Sequence, residues 1–507
     1  MKLQKKWKDI PKSARAAIVF GICSFLSSGI SFLLTPLFTR IMTEQQYGIV
    51  VEYNSWHYII EVFAVLGLAS VGSFNVGLNE YRDRRDKYIS NMLIMANIAT
   101  ILVFGALVSV KYLFFQQAII PYRYLLIMCI GFIFSPAVTF YLARKRYEYG
   151  YVKGAIVSFG STACIYGLSI LCVLFGDLLF SSDLGESTWK ILGAMIGTLI
   201  FAVPIYIFLL AKGGIKVDMK MCRNMLVFTL PLLPHYLSMH IMSGADRIMV
   251  SRIQSEETAA IYGVASAIGI IASTVWVAIN GSLQPFIFNS LNDGNIERVR
   301  KVTSSLVLGF SVICFGVCLF APEILWILAP ESYSEGLEAI PPIIGMTFLN
   351  ALYNVYASIE FYHKKSVGIA VATIAATLLN IVLNAIFIPK FGFRAAAYTS
   401  LISNAALTFC HYIGYTRCSG KKIFNNLHLL CISIVCIGAS LSCLLIYDML
   451  ILRIILAVIL GAFLFIKRNM FLSFPLQGKV AAKQPDEVKH NSLIAKICDT
   501  LVSFIRL

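Results

Sequence analysis

The chain has 507 residues, 58% of them hydrophobic and only 13% charged, with a mean hydropathy of +0.78 and a formal net charge of +16. One water-soluble core cannot absorb that much apolar side chain, so most of it must face lipid, which excludes an ordinary soluble enzyme. Nucleic-acid binding is not needed to explain the positive charge, because the placement of Lys and Arg between the apolar runs accounts for it.

Apolar runs of about 18 to 25 residues recur along the chain, each able to cross a hydrocarbon core about 30 Å thick. In lipid an open sheet edge leaves backbone groups unpaired at several kcal/mol each, so the runs predict helices. The basic start (Lys2, Lys5, Lys6, Lys8, Lys12, Arg15) leads into an apolar stretch too long for a signal peptide, which predicts a first span over 16–39. Further spans are predicted over 49–72, 91–113, 122–143, 154–176, 189–211, 224–245, 258–281, 302–320, 339–361, 366–388, 394–415, 425–446 and 449–466. Of the 42 Lys and Arg residues, 33 fall in the tails and alternate loops, leaving Arg40, Lys111, Arg123, Lys190, Arg247, Arg252, Lys390, Arg394 and Arg453 opposite. Since cytoplasmic loops carry the basic excess, about fourteen crossings with both termini cytoplasmic are expected. The thirteen cysteines lie mostly inside spans without C-x-x-C spacing and read as small apolar fillers.

An internal repeat divides the chain. Arg40-Ile41-Met42 and Tyr47-Gly48 flank the start of the second span, and Arg247-Ile248-Met249 and Tyr262-Gly263 flank the eighth, with prolines upstream at Pro36 and at Pro231 and Pro234. Each triplet is expected to close a span and each Tyr-Gly to open the next. Six spans separate the copies, which predicts two six-helix lobes in parallel orientation around a central cavity. The expected layout is an N-terminal lobe over 1–215, a C-terminal lobe over 216–420, two further helices over 421–470, and a cytoplasmic tail over 471–507. Within that tail, Leu493, Ile494, Ile497, Leu501, Phe504 and Ile505 recur at helical spacing, as in a helix lying on a membrane surface.

Ionisable and polar residues inside spans carry most of the functional information, because each is costly in lipid unless it meets water or a partner. In the second span Asn54, His57 and Glu61 share one helical face, with Glu61 about 18 Å along the helix at about 1.5 Å per residue. That face lines an aqueous cavity or buries a Glu61–His57 pair. Ser266, Ser273, Asn280 and Gln284 form a stripe on the eighth span, Asn350 and Asn354 on the tenth, Thr373, Thr377, Asn380 and Asn384 on the eleventh, and Ser400, Asn404, Thr408 and His411 on the twelfth. Each stripe suits either helix–helix hydrogen bonding or a hydrated wall, and together they point to a wide hydrated lumen. Arg40, Arg247 and Asp246 stand at equivalent outer ends; two guanidiniums there would grip a phosphate bidentately, unless they snorkel or Asp246 caps Arg247.

The loops are too short for a catalytic cleft. The acidic outer connection with Glu323, Glu331, Glu335 and Glu338 reads as a solvated rim. No G-x-x-x-x-G-K-[ST] motif supports ATP hydrolysis, since Gly420-Lys421 is followed by Lys422. A non-enzymatic transporter, driven by an ion gradient, the membrane potential or consumption of substrate on one side, is therefore expected.

Three stretches carry a resemblance: Thr35 to Gly48 (TPLFTRIMTEQQYG), Leu230 to Gly263 (LPLLPHYLSMHIMSGADRIMVSRIQSEETAAIYG) and Asn380 to Ser400 (NIVLNAIFIPKFGFRAAAYTS). There the chain resembles the polysaccharide-transporter branch of the multidrug/oligosaccharidyl-lipid/polysaccharide exporter superfamily. A departure is Arg394-Ala395, where relatives usually place glycine before the Ala-Ala pair. The resemblance implies a flippase of undecaprenyl-diphosphate-linked oligosaccharide repeat units in a bacterial inner membrane, working by alternating access within the bilayer and alongside other polysaccharide-assembly membrane proteins. It implies no cofactor, and coupling by H+ or Na+, with Glu61 a place where the ion acts. A lipid II flippase, which demands a more cationic lumen, and a drug/cation antiporter with an acid-lined apolar pocket are the alternatives within the superfamily. A polytopic glycosyltransferase or polymerase is the alternative outside it.

Overall fold

A computed structural model describes residues 12–68, 71–113, 120–180, 184–363 and 365–466, and the expected surface helix over 493–506 lies outside them. Every regular element among the described residues is helical. The long helices are α1 (Lys12–Ile41), α2 (Glu44–Val65), α3 (Arg85–Leu113), α4 (Tyr122–Tyr147), α5 (Tyr151–Phe180), α6 (Glu186–Gly213), α7 (Leu233–Ile253), α8 (Glu256–Asn292), α9 (Ile296–Leu319), α10 (Ile340–Tyr362), α11 (Ser366–Phe391), α12 (Phe393–Ser419), α13 (Asn426–Ser442) and α14 (Leu450–Ile466). Short helices over Val71–Glu80, Met219–Thr229 and Ala321–Leu328 join them. Among the described residues, nine helical segments are long and apolar enough to cross a membrane. The segment holding α2 is not one of them: it carries Glu52 and Glu61 in mid-helix, whereas α14 is short at 17 residues.

Side-chain chemistry sets the ends. Ser255 opens α8 through a reciprocal capping box with Thr258, and Thr43 caps α2 by accepting a hydrogen bond from the Gln46 amide. α8 then runs eleven residues past its predicted end, through Pro285. α7 continues four residues beyond Met249, so the repeated triplet closes α1 but not α7. Arg252 rather than Arg247 therefore stands at the helix end. The acidic connection after α9 is also more ordered than a rim: it folds as Ala321–Leu328 and a 3₁₀ turn over Glu331–Ala339. Glu323 holds Arg453 at 2.7 Å, and Glu338 holds Arg394 at 2.8 Å, so the arginine that departs from the family pattern has a partner.

Buried apolar side chains fall into two large clusters, one drawn from residues 38 to 225 and the other from 250 to 443. In the first, α5 packs on α6, α1 on α5, and α4 on α6. Gly193 and Gly197 let α6 lie against the α5 backbone, where an added Cβ would sit 2.5 Å from the carbonyl oxygens of Leu168 and Cys164. In the second, α10 and α11 pack on α12, α7 on α11, and α8 on α10, with α13 and α14 added against α9. The two lobes meet where α2 lies on α7 and α8.

Basic loops and their acidic partners gather at one face. Lys87 donates to Asp218 at 3.0 Å, Asp218 accepts from its own helix at the Met221 amide, and Arg144 joins Asp86 and Glu148. The Lys87 hydrogen bond holds the Asp218 carboxyl below its ordinary range. Burial alone would raise Glu148, but hydrogen bonds from Lys145 and Arg144 hold it low.

Candidate functional site

A cavity of about 270 Å³ opens among α7, α8, α10 and α12. Its wall carries Ser243, Arg247, Ser266, Ser273, Asn350 and Asn354 beside Trp276 and several methionines. The helical period explains the set: Ser266 and Ser273 on α8, and Asn350 and Asn354 on α10, each return to one face. Asn280 and Gln284 are half-buried further along α8 and are not part of this wall. The volume sits just below the range of about 300–1,000 Å³ that holds a drug-sized ligand, so this cavity is narrower than the wide lumen expected.

Asp246 borders this cavity at the centre of a polar knot. Its carboxylate accepts from Asn384 Nδ2 at 2.6 Å, Ser400 Oγ at 2.5 Å and Tyr262 OH at 3.1 Å. Asn380 Nδ2 donates to Ser400 Oγ at 2.9 Å, and Thr399 donates to Asn384 Oδ1. Asn380 and Asn384 are fully buried, as are Thr373 and His411. Most of the α11 and α12 stripes therefore make dry contacts between helices, because Thr377, Asn380, Asn384, Ser400, Thr408 and His411 find partners on a neighbouring helix, whereas Asn404 bonds within α12 and borders the cavity. Nor does Asp246 cap Arg247; it ties α7 to α8, α11 and α12. One amide N–H and two hydroxyls thus satisfy the buried carboxylate and tie four helices together.

On the other lobe, Asn54 is exposed and His57 and Glu61 are half-buried. His57 stacks on Phe132 of α4 at 4.5 Å and leaves Glu61 without a hydrogen-bond partner among the described residues, so the two do not form a buried pair. Arg40 turns away from the cavity: its guanidinium donates to the carbonyls of Ile327 (3.1 Å) and Trp326 (3.1 Å), while Thr39 donates to that of Leu328 at 2.7 Å. The pair of arginines facing one cavity is thus not formed. The second cation is Lys190, read in the sequence as a rim charge. Its ammonium lies 3.9 Å from the Phe38 ring and 4.6 Å from the Tyr47 ring. Arg247 stands on the cavity wall in the other lobe. Neither cation has a carboxylate within ion-pair distance among the described residues.

A clasp closes the lobes beside this pair. Arg252 of α7 donates to Glu52 of α2 (Nε to Oε1, 2.9 Å), Ser251 donates to the other oxygen at 2.6 Å, and Trp56 completes the set at 3.1 Å. The two glycines of the repeat lie at the same crossing: a Cβ on Gly48 would overlap the Glu256 carbonyl, and one on Gly263 would press on Val51 at 2.8 Å. Glu52 escaped the sequence reading, its partner lying 200 residues away.

The family model described as "Polysaccharide biosynthesis protein" matches residues 13–291, and that described as "MatE" matches 231–386. Protein 1 of the Lsg locus of Haemophilus influenzae is 19% identical over 73% of this chain and 90% of its own length. The Haloferax volcanii protein named "Probable low-salt glycan biosynthesis flippase Agl15" is 22% identical over 78% and 82%. Among solved structures, a lipid II flippase MurJ in an inward closed conformation superimposes with TM-score 0.63 at 15% identity, covering 89% of this chain and 99% of that one. An inward-facing multidrug-resistance transporter of the MATE family gives TM-score 0.55 at 14% identity, over 79% and 95%.

Proposed function

The chain belongs to the polysaccharide biosynthesis protein family of membrane transporters, and we propose that it flips undecaprenyl-diphosphate-linked oligosaccharide repeat units from the cytoplasmic to the outer leaflet of a bacterial inner membrane. The observation that carries the reading is one cation from each lobe, Lys190 over the Tyr47 ring and Arg247 on the cavity wall, neither with a carboxylate in ion-pair distance among the described residues. A diphosphate placed between them would bridge the lobes, which makes its arrival a signal to close and its departure a signal to open. The sugar hydroxyls would meet Ser243, Ser266, Asn350 and Asn354 once the lobes part and the cavity enlarges. Unaided, each hydroxyl left unpaired in lipid costs roughly 1–3 kcal/mol, so a headgroup with about ten faces a barrier above 10 kcal/mol.

In this reading residues 1–215 and 216–420 rock against each other, 421–470 form an appendage, and the basic face with both termini is cytoplasmic. The Glu52–Arg252 clasp then shuts the outer side, and the polyprenyl tail stays in lipid. For the driving force, H+ or Na+ would act at Glu61, a half-buried carboxyl with no protein partner among the described residues; the flippase catalyses no bond chemistry. Reconstituted into liposomes, the protein should move a fluorescent polyprenyl-diphosphate-linked N-acetylhexosamine between leaflets, read by loss of quenching from an external reductant. Replacing both Lys190 and Arg247 by alanine should reduce the rate at least tenfold. An unchanged rate in that double variant would discard the diphosphate role.

A further inference from the structure

Buried within the C-terminal lobe is a second acid that the proposed route does not use. Glu360 and His411, with side chains 3% and 0% exposed, face each other across α10 and α12 at 2.5 Å between Oε2 and Nδ1. Gly414 leaves the room for it, since a Cβ there would overlap the Glu360 carboxylate, and Gly368 of α11 comes within 3.7 Å on the same construction. The far nitrogen of the imidazole, Nε2, is buried and has no hydrogen-bond partner. A histidine present only to tie two helices would have both nitrogens satisfied, because an unpaired buried polar atom is costly.

Position gives that nitrogen a use. The His411 ring lies 5.2 Å from Tyr353, and Tyr353 lines the cavity, as does Leu407 one turn below His411. Glu360, by contrast, is two residues from the end of α10 and lies toward the basic face, where Lys365 follows. The dyad therefore stands between the cavity and the opposite side of the molecule, with one aromatic ring in front of it. The other titratable groups around it are His235 on α7, which acts electrostatically on His411 and meets Thr373 at 3.4 Å, Cys418 on α12, and Lys365 in the loop. α11 brings Gly368 and Thr373.

Building on the flippase reading, we propose that Glu360 and His411 form a proton-binding site, loaded from the cavity past Tyr353 and discharged at the basic face. A proton from cavity water adds to His411 Nε2, the Nδ1 proton passes to Glu360 Oε2, and the carboxylic acid so formed releases that proton toward the loop after Tyr362. One proton enters and one leaves, and the imidazole is left in its other tautomer. Loading turns a net anionic pair into a neutral one, so the packing of α10 on α12 has two charge states, which a lobe movement can favour in turn.

Two measurements on the intact protein test this. In infrared difference spectra between alkaline and acid buffers, the wild type should show a protonated-carboxyl band that Glu360→Gln removes; a band unchanged in that variant overturns the proposal. In liposomes, an imposed pH gradient should speed movement of the fluorescent polyprenyl-diphosphate-linked N-acetylhexosamine at least tenfold in the wild type. Glu360→Gln should lose that response while retaining exchange without a gradient. A variant that keeps the full response overturns the proton site and leaves the flippase reading intact. A wild type that does not move the probe counts against the cargo, and the infrared result then decides the proton site alone. His411→Gln replaces Glu360→Gln wherever the latter is not monodisperse in size-exclusion chromatography.

Discussion

Two polar assemblies hold helices together in this molecule, and they are built for opposite purposes. The Asp246 knot is wholly interior: neutral donors from α8, α11 and α12 surround one carboxylate, and every contact stays within the C-terminal lobe. The Glu52–Arg252 clasp joins different lobes, and its arginine side chain remains 34% exposed against 5% for the glutamate. A charge with water at hand can be released when its partner leaves, whereas one enclosed by protein cannot. The difference teaches where the molecule is meant to stay shut and where it is meant to part.

That contrast can be broken experimentally at several points. The largest effect should come from Asp246→Leu, which leaves three buried donors unanswered and is expected to destabilise the lobe by roughly 3–5 kcal/mol; thermal unfolding in detergent would measure it, with Asp246→Asn far milder. Arg252→Ala should leave the unfolding midpoint nearly unchanged yet weaken closure by roughly 1.5–3 kcal/mol, the usual worth of hydrogen bonds to a charged group. Its signature is faster thiol labelling of a Val51→Cys reporter; equal loss of stability in both variants would erase the distinction. Glu61→Gln should slow flipping several-fold without altering the midpoint, read in the liposome assay, because Glu61 has no protein partner to lose.

The smallest effect belongs to the ion pairs of the basic face. Asp218 and Glu148 have carboxyls held below their ordinary values, so their contribution is present above about pH 4, the unfolded range, and is lost only as pH falls through the lower folded values. Between pH 5 and 8 Asp218→Asn should lower the unfolding midpoint by a small, pH-independent amount, while below pH 4 the variant and the wild type should converge.

The all-helical, multi-span architecture was legible because length and apolarity in lipid leave few other solutions, and the Tyr-Gly repeat was legible because close approach of two helices demands small residues. The pairings were not. Glu52 with Arg252, Glu360 with His411, and Lys190 with two aromatic rings each join residues from different helices, and a one-dimensional pattern records the expense of a buried charge without recording who meets it. Helical periodicity predicted correctly which residues share a face, as with Ser266 and Ser273. It could not say whether that face met water or another helix, so the α11 stripe stood open between the two, and Asn380 and Asn384 prove to be buried.

The contact between α1 and the short helix Ala321–Leu328 bears on how such a protein tolerates change. Thr39 and Arg40 grip main-chain carbonyls of Trp326, Ile327 and Leu328 rather than their side chains. Every amino acid presents the same carbonyl, so the exposed Trp326 and Ile327 are free to vary provided the short helix still ends there, whereas Leu328 is also held by its buried side chain. The grip rests on the identity of Thr39 and Arg40 alone, and a proline or insertion that redirects the helix end would undo it where a change of side chain would not.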